Sequence, residues 1–153
     1  MATSDIISVL QALGFLVAGI VAVRTFTRDS GLKRSEWLER LHDKFYGQEN
    51  YKYIRRALDY SSDHSFEQLK DNIVSRGYSD NVEKLVDYLN FFHFIATLWD
   101  TNQLTEKEIR SLFNYYLKLL TKHDFIVDYM EREEFYLLLR MLRSFSMLPK
   151  KKK

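Results

Sequence analysis

The feature that most constrains this chain is the segment Ile6–Val23, eighteen consecutive residues without a charged side chain. At about 1.5 Å rise per residue, a helix of this length covers about 27 Å, close to the hydrocarbon thickness of a bilayer. We therefore predict that residues 1–28 form one transmembrane anchor. A buried core helix is disfavoured because no other segment is apolar on all sides. A cleaved signal peptide is disfavoured because the residues before the segment include Asp5 and no Lys or Arg, whereas a signal peptide begins with a positively charged region.

The flanks of the apolar segment predict its orientation. All 23 Lys and Arg residues follow the segment, beginning with Arg24 and Arg28. Basic residues remain on the cytoplasmic side of a membrane helix. We therefore expect an inner (cytoplasmic) membrane protein with its short N-terminus outside and the remaining chain in the cytoplasm. The absence of cysteine agrees with this expectation, since it excludes a disulfide framework.

Small residues give the apolar segment a surface suited to helix packing. They recur, with one aromatic, at four-three-four-three spacing: Ser8, Ala12, Phe15, Gly19 and Ala22. Small side chains let helix backbones approach closely in lipid, and Gln11 could hydrogen-bond between copies. This pattern predicts a homo-oligomer assembled through the membrane helix. The alternative is that small residues are simply common in membrane helices.

The rest of the chain predicts an all-α domain over residues 29–149, because apolar residues recur at helical spacing and no stretch shows sustained alternation. The most apolar of these helices, Val82–Trp99, is expected to be the central core helix, capped by Asp80 or Asn81. Thr105 and Glu108 predict a capping box. The other predicted helices are 33–47, Tyr51–Tyr60, Ser65 to about Gly77, Thr105 to about Lys122, and a final pair within Asp124–Leu148. Residues 150–153 form a basic tail, interpreted as solvated or as attached to anionic lipid.

Composition and motifs argue against catalysis. The formal net charge of +2 is too small to indicate binding of duplex nucleic acid. The chain has no cysteine and no glycine-rich phosphate loop. None of its four histidines has the i, i+4 partner that a helical metal pair needs. We therefore expect no enzyme, no metal and no cofactor.

The segment with the greatest binding potential is YKYIRR, residues 51–56, which places three cations among aromatic side chains. Arg and Lys suit phosphate, and a tyrosine ring can stack on a base. Helical spacing predicts that Lys52, Arg55 and Arg56 occupy neighbouring positions of one surface. An ordinary solvated helix face is the alternative. The predicted ligand-binding residues are Tyr51, Lys52, Arg55, Arg56 and Arg76, with Lys44 and Arg110 as secondary candidates.

Two resemblances follow from these features. The segments LNFFHFIATLW (89–99) and LTEKEIRSLFNYYLKLL (104–120) resemble a widespread group of small bacterial proteins that join one N-terminal membrane helix to a helical domain. This resemblance implies the fold and no activity. The architecture is also similar to the membrane effectors of type III CRISPR defence. That resemblance implies a tetramer whose cytoplasmic domain binds cyclic tetra-adenylate and signals to the membrane part.

Three functions are weighed on these grounds. The first is an antiviral effector that binds a cyclic oligoadenylate and acts through its oligomeric membrane helix to disrupt the membrane. The second is a membrane-tethered scaffold, since an aromatic-rich helical surface also suits a cytoplasmic protein partner. The third, a nuclease or other hydrolase, is disfavoured because no catalytic motif is present. The first is the function that the sequence favours.

Overall fold

A computed structural model describes residues 33–60, 64–77 and 79–149 of the chain. The predicted membrane segment Ile6–Val23, the end of the anchor at residue 28 and the basic tail 150–153 lie outside these residues. The chain divides into two compact units, Met1–Asp43 and Lys44–Lys153. Among the helices described, none combines the length and the hydrophobicity that crossing a membrane requires.

The described residues form seven helices and no strand, which confirms the all-α prediction for this part of the chain. Helix α1 covers residues 33–47, of which 33–43 belong to the first unit and 44–47 to the second. The remaining helices are α2 (Glu49–Asp59), α3 (His64–Val74), α4 (Asp80–Asp100), α5 (Glu106–Lys122), α6 (Asp124–Arg132) and α7 (Tyr136–Ser144).

Side-chain caps fix where two of the longer helices begin. The predicted capping box of α5 is confirmed: Thr105 accepts from the backbone N–H of Glu108, whose carboxylate accepts from the backbone N–H of Thr105. The prediction of Asp80 or Asn81 as the cap of α4 is wrong. The cap is Ser79, whose extended backbone lets its hydroxyl accept from the N–H of Val82 at 3.3 Å.

Residues other than glycine take the left-handed backbone position that follows several of the helices. After α3, the N–H of Gly77 donates to the carbonyl of Asn72 and that of Arg76 to the carbonyl of Ile73, the pairing of a Schellman motif. The left-handed position of such a motif usually holds glycine, because a side chain there costs about 1–2 kcal/mol. Among the residues that the structure describes, the four non-glycine residues with positive φ each lie two positions after the last residue of a helix: Arg76, Asn102, Glu134 and Ser146.

An aromatic cluster at the centre of the second unit holds the helices together. The ring of Phe45, at the end of α1, is fully buried. Its centroid lies between 4.9 and 6.1 Å from six other large aromatic rings of α2, α4 and α5: Tyr51, Tyr88, Phe91, Phe92, Phe113 and Tyr116. Helix α4 contributes three of these rings and also packs against α3 and α7, so it is the central helix, as the sequence predicts.

Replacing Phe45 should therefore be costly. We expect Phe45→Ala to lower the free energy of unfolding by about 3–5 kcal/mol, since it leaves a cavity between three helices. Phe94→Ala is the matched control, because that ring is 48% exposed on α4, and it should cost less than about 1 kcal/mol. Urea unfolding followed by circular dichroism measures both. Equal losses in the two variants would contradict a core centred on Phe45.

Candidate functional site

The middle cation of the YKYIRR segment points into the protein. Arg55 is only 9% exposed. Its Nη1 donates to the carbonyl of Phe45 at 2.5 Å and its Nη2 to that of Tyr46 at 3.4 Å. Its guanidinium carbon lies 4.9 Å from the ring centroid of Phe45 and 5.1 Å from that of Tyr46. Because the last carbonyls of a helix lack intrahelical donors, Arg55 serves as the C-terminal cap of α1.

The remaining residues of the segment are divided between core and solvent. Tyr51 packs against Phe91, at 5.5 Å between centroids, and burial followed by the Asp87 carboxylate raises its pKa. Lys52 is exposed and pairs with Glu49 at 3.2 Å. Arg56 is exposed, with no side-chain partner among the described residues. The predicted surface of three neighbouring cations is therefore wrong at Arg55, whereas ligand binding by Tyr51, Lys52 and Arg56 stays a prediction.

The two secondary candidates for ligand binding, Lys44 and Arg110, do not join the cations of the YKYIRR segment. Lys44 is exposed on α1. Arg110 on α5 is occupied: its Nε donates to Glu106 at 2.6 Å and its Nη2 to the carbonyl of Phe145 at 2.7 Å. Arg110 therefore joins the end of α7 to α5, much as Arg55 joins α1 to α2. Neither residue extends the YKYIRR segment into a larger basic surface.

Arg76 occupies a different place, in a pocket of about 320 Å³ where the ends of α3 and α6 meet the start of α4. None of the other predicted binding residues lines this pocket. The residues that form it are Asn72, Ile73, Arg76, Gly77, Val82, Tyr129, Arg132 and Glu133. Two arginines and one glutamate thus line the same pocket. We call it the arginine pocket.

The two arginines differ in how they are held. Arg76 is exposed, and no side-chain hydrogen bond or ion pair involves it within the described part of the chain. Arg132 donates from Nε to Glu133 at 3.0 Å and lies 5.1 Å from the ring centroid of Tyr129. Burial, followed by the Glu133 carboxylate, raises the pKa of Tyr129, so its hydroxyl stays protonated at neutral pH. The pocket therefore suits an anion that accepts hydrogen bonds, and phosphate matches guanidinium geometry.

Sequence reasoning missed Arg132 and Tyr129. Glu131, Glu133 and Glu134 are close in sequence, and we interpret this stretch from the sequence as a solvated helix junction. The i, i+3 spacing of Tyr129 and Arg132 indicates one helix face. No local pattern indicates that this face meets the end of α3, more than fifty residues earlier in the chain.

A second pocket, of about 390 Å³, lies where the start of α3 meets the α5–α6 corner. We call it the lysine pocket. Its residues are Phe66, Lys70, Lys122, His123, Asp124 and Phe125. The ring of His123 lies 4.9 Å from that of Phe66 and 6.0 Å from that of Phe125, between centroids. Its Nε2 is buried with no hydrogen-bond partner in the described structure.

The described residues contain no group of three or more His, Asp or Glu placed to hold a metal ion. Comparison with known proteins gives no family model, no curated protein and no solved structure that matches the chain. The interpretation of both pockets therefore depends on their geometry and chemistry.

Arg55 and Arg56 should behave differently when replaced, although they are neighbours. We expect Arg55→Ala to lower the free energy of unfolding by about 2–4 kcal/mol, because two carbonyls lose a charged donor and a buried side chain is removed. Arg56→Ala should change it by less than about 0.5 kcal/mol. Thermal or urea unfolding of the full chain measures both values. A stable Arg55→Ala variant would show that the cap of α1 is dispensable.

Two histidines should make stability depend on pH. Burial lowers the pKa of His93; burial also lowers that of His123, followed by an opposing hydrogen bond to the Leu58 backbone. The two histidines therefore bind protons more readily in the unfolded chain. Their contribution to stability is fully present above about pH 6.5 and is lost as the pH falls below that value. Urea midpoints at pH 7.5 and 5.5 measure the loss. The double variant His93→Gln/His123→Gln should lose less over this interval; an equal loss would assign it to other groups.

Proposed function

We propose that the chain is a membrane-anchored sensor, and not an enzyme, whose helical unit binds an anionic, phosphate-bearing ligand in the arginine pocket. The observation that carries the proposal is the guanidinium of Arg76, exposed and without a side-chain partner among the described residues, in the same pocket as Arg132. Charge-assisted hydrogen bonds from such a pair are among the strongest that an anion can accept from a protein.

The backbone at Arg76 adds support. Its φ of 56° places an arginine at the left-handed position where glycine is least costly. Residues held in costly conformations occur frequently at binding sites. The Schellman motif places the Cα of Arg76 at the end of α3, beside the start of α4, which also lines the pocket. Glycine would end the helix equally well and would remove the guanidinium.

The finer parts of the proposal follow from the sequence. The uncharged segment Ile6–Val23 supports a membrane anchor, and its small residues support a homo-oligomer, proposed to be a tetramer. The similarity to membrane effectors of type III CRISPR defence makes cyclic tetra-adenylate the first ligand to test. In the proposed mechanism the ligand favours one packing of the oligomer, because it binds that arrangement more tightly, and the membrane helices then disrupt the bilayer.

The variant Arg76→Gly tests the arginine pocket without destabilising the fold. We expect this variant to bind cyclic tetra-adenylate about tenfold more weakly or worse, since it loses a charge-assisted contact. Its free energy of unfolding should rise by about 0.5–1 kcal/mol, because glycine adopts the left-handed conformation without strain. Isothermal titration calorimetry of the full chain in a mild detergent measures binding, and urea unfolding measures stability.

The matched control is Ser146→Gly, a second left-handed position outside the arginine pocket. It should raise stability and leave binding unchanged. Arg56→Ala provides a second control, because it removes an exposed arginine that also has no side-chain partner in the described chain. If Arg56→Ala weakens binding and Arg76→Gly does not, the ligand binds at the YKYIRR segment. If no phosphate-bearing ligand binds the folded wild-type chain, the sensor proposal fails.

A scaffold is the second candidate, and exposed tyrosines on α1, on α5 and just after α2 favour it. Tyr46, Tyr60 and Tyr115 are 41%, 65% and 58% exposed. The Tyr115 ring lies 5.2 Å from that of Tyr116, which lies 6.0 Å from that of Tyr46. Tyrosine is enriched in protein interfaces because it offers a large rigid ring and a polar end. A stoichiometric protein partner, together with no nucleotide binding, would favour this function.

A further inference from the structure

The arginine and lysine pockets lie at opposite ends of the same pair of helices. Phe66 and Lys70 of α3 line the lysine pocket, whereas Ile73 of α3 and Arg76, just after its end, line the arginine pocket. Along α6, Phe125 lines the first and Arg132 the second, in the same chain direction. Helices α3 and α6 are in contact. Because their starts line one pocket and their ends line the other, they run in the same direction. Lys70 and Arg76 are six residues apart, which corresponds to about 9 Å at 1.5 Å per residue.

Both ends of this helix pair carry cations. Lys122 is exposed and has no side-chain partner in the part of the chain that the structure describes. Lys70 pairs with Glu67 at 3.7 Å, but both side chains are about half exposed, and such surface pairs are weak. With Arg76 and Arg132, four cationic side chains line the two pockets against the carboxylates of Asp124 and Glu133. A ligand with one phosphate would use half of these groups.

The lysine pocket also offers an aromatic surface. Phe66 is almost fully buried, whereas Phe125 is partly exposed and meets it edge-on, with 5.6 Å between centroids. The edge-on contact supports Phe125 from one side and leaves part of its surface at the pocket. Cations combined with an aromatic ring are the usual means by which proteins bind single-stranded nucleic acid, because phosphates meet the charges and bases stack on the ring.

We propose that the two pockets are subsites for one ligand, a short single-stranded oligonucleotide. One phosphate binds Arg76 and Arg132, another binds Lys70 and Lys122, and a base lies against Phe125. A stacked strand advances about 3.4 Å per nucleotide, so a spacing of about 9 Å requires roughly three nucleotides. This inference depends on the proposed function for the arginine pocket and adds the lysine pocket and a minimum ligand length.

Ligand length tests the inference. The full chain in a mild detergent is titrated with adenosine monophosphate and with linear oligoadenylates of two, three and four nucleotides. Affinity should rise by about tenfold or more between one and three nucleotides, as a second charge-assisted contact forms. Lys70→Ala/Lys122→Ala should abolish this gain and leave binding of the mononucleotide unchanged. Phe125→Ala should reduce the gain in part.

Lys107→Ala/Lys118→Ala is the matched control. Lys107 and Lys118 are exposed lysines of α5, like Lys122, but neither lines the arginine pocket or the lysine pocket. This control should retain the gain with length, and circular dichroism verifies that every variant is folded. A gain that survives Lys70→Ala/Lys122→Ala, or no gain at all, overturns the inference.

The outcomes separate this inference from the proposed function. If the mononucleotide binds through Arg76 and longer strands bind no more tightly, the arginine pocket stands alone and the two-subsite inference is wrong. If Arg76→Gly leaves the binding of every nucleotide unchanged, the proposed function is wrong as well. Binding of the mononucleotide thus tests the arginine pocket, and the gain in affinity with strand length tests the lysine pocket.

Discussion

The burial of Arg55 is the interaction on which the rest of the second unit depends. Removing a guanidinium from water is costly unless its donors and its charge are satisfied. Here the last carbonyls of α1 supply acceptors, and the rings of Phe45 and Tyr46 supply favourable cation–π contacts. The same bonds fix the end of α1 against α2. They therefore hold Phe45 where its ring can meet α2, α4 and α5.

The inward position of Arg55 also decides where an anion can bind. It leaves Lys52 and Arg56 as the solvent-facing cations of YKYIRR, and Lys52 is already paired with Glu49. Other cations join elements to one another: Arg110 bonds the end of α7, Arg140 pairs with Asp100, and Arg143 pairs with Glu131 at 2.6 Å. Arg76 and Arg132 differ because they share a pocket. Structural demands on the arginines thus shift the candidate site from α2 to the α3–α6 pair.

The sequence predicts the helices well because each buries a periodic apolar stripe, and it predicts the capping box of α5 from two residues. It fails for Arg55 because periodicity leaves residues at the edge of a stripe undetermined. At about 100° per residue, Arg55 lies beside the apolar positions of Leu58 and Tyr51, whereas Arg56 lies opposite them. It does predict a pair of helices within Asp124–Leu148, with a junction near Glu134, although Glu134 takes the left-handed position without the glycine that usually marks it.

The left-handed backbone does not by itself single out Arg76, because Glu134 and Ser146 share it. What distinguishes Arg76 is the combination of a costly backbone, an exposed guanidinium without a side-chain partner in the described structure, and a second guanidinium in the same pocket. Phosphate matches the geometry of a guanidinium and can accept hydrogen bonds from more than one arginine. This combination is the reason that we propose the arginine pocket, and not the YKYIRR segment, as the site for a phosphate-bearing ligand.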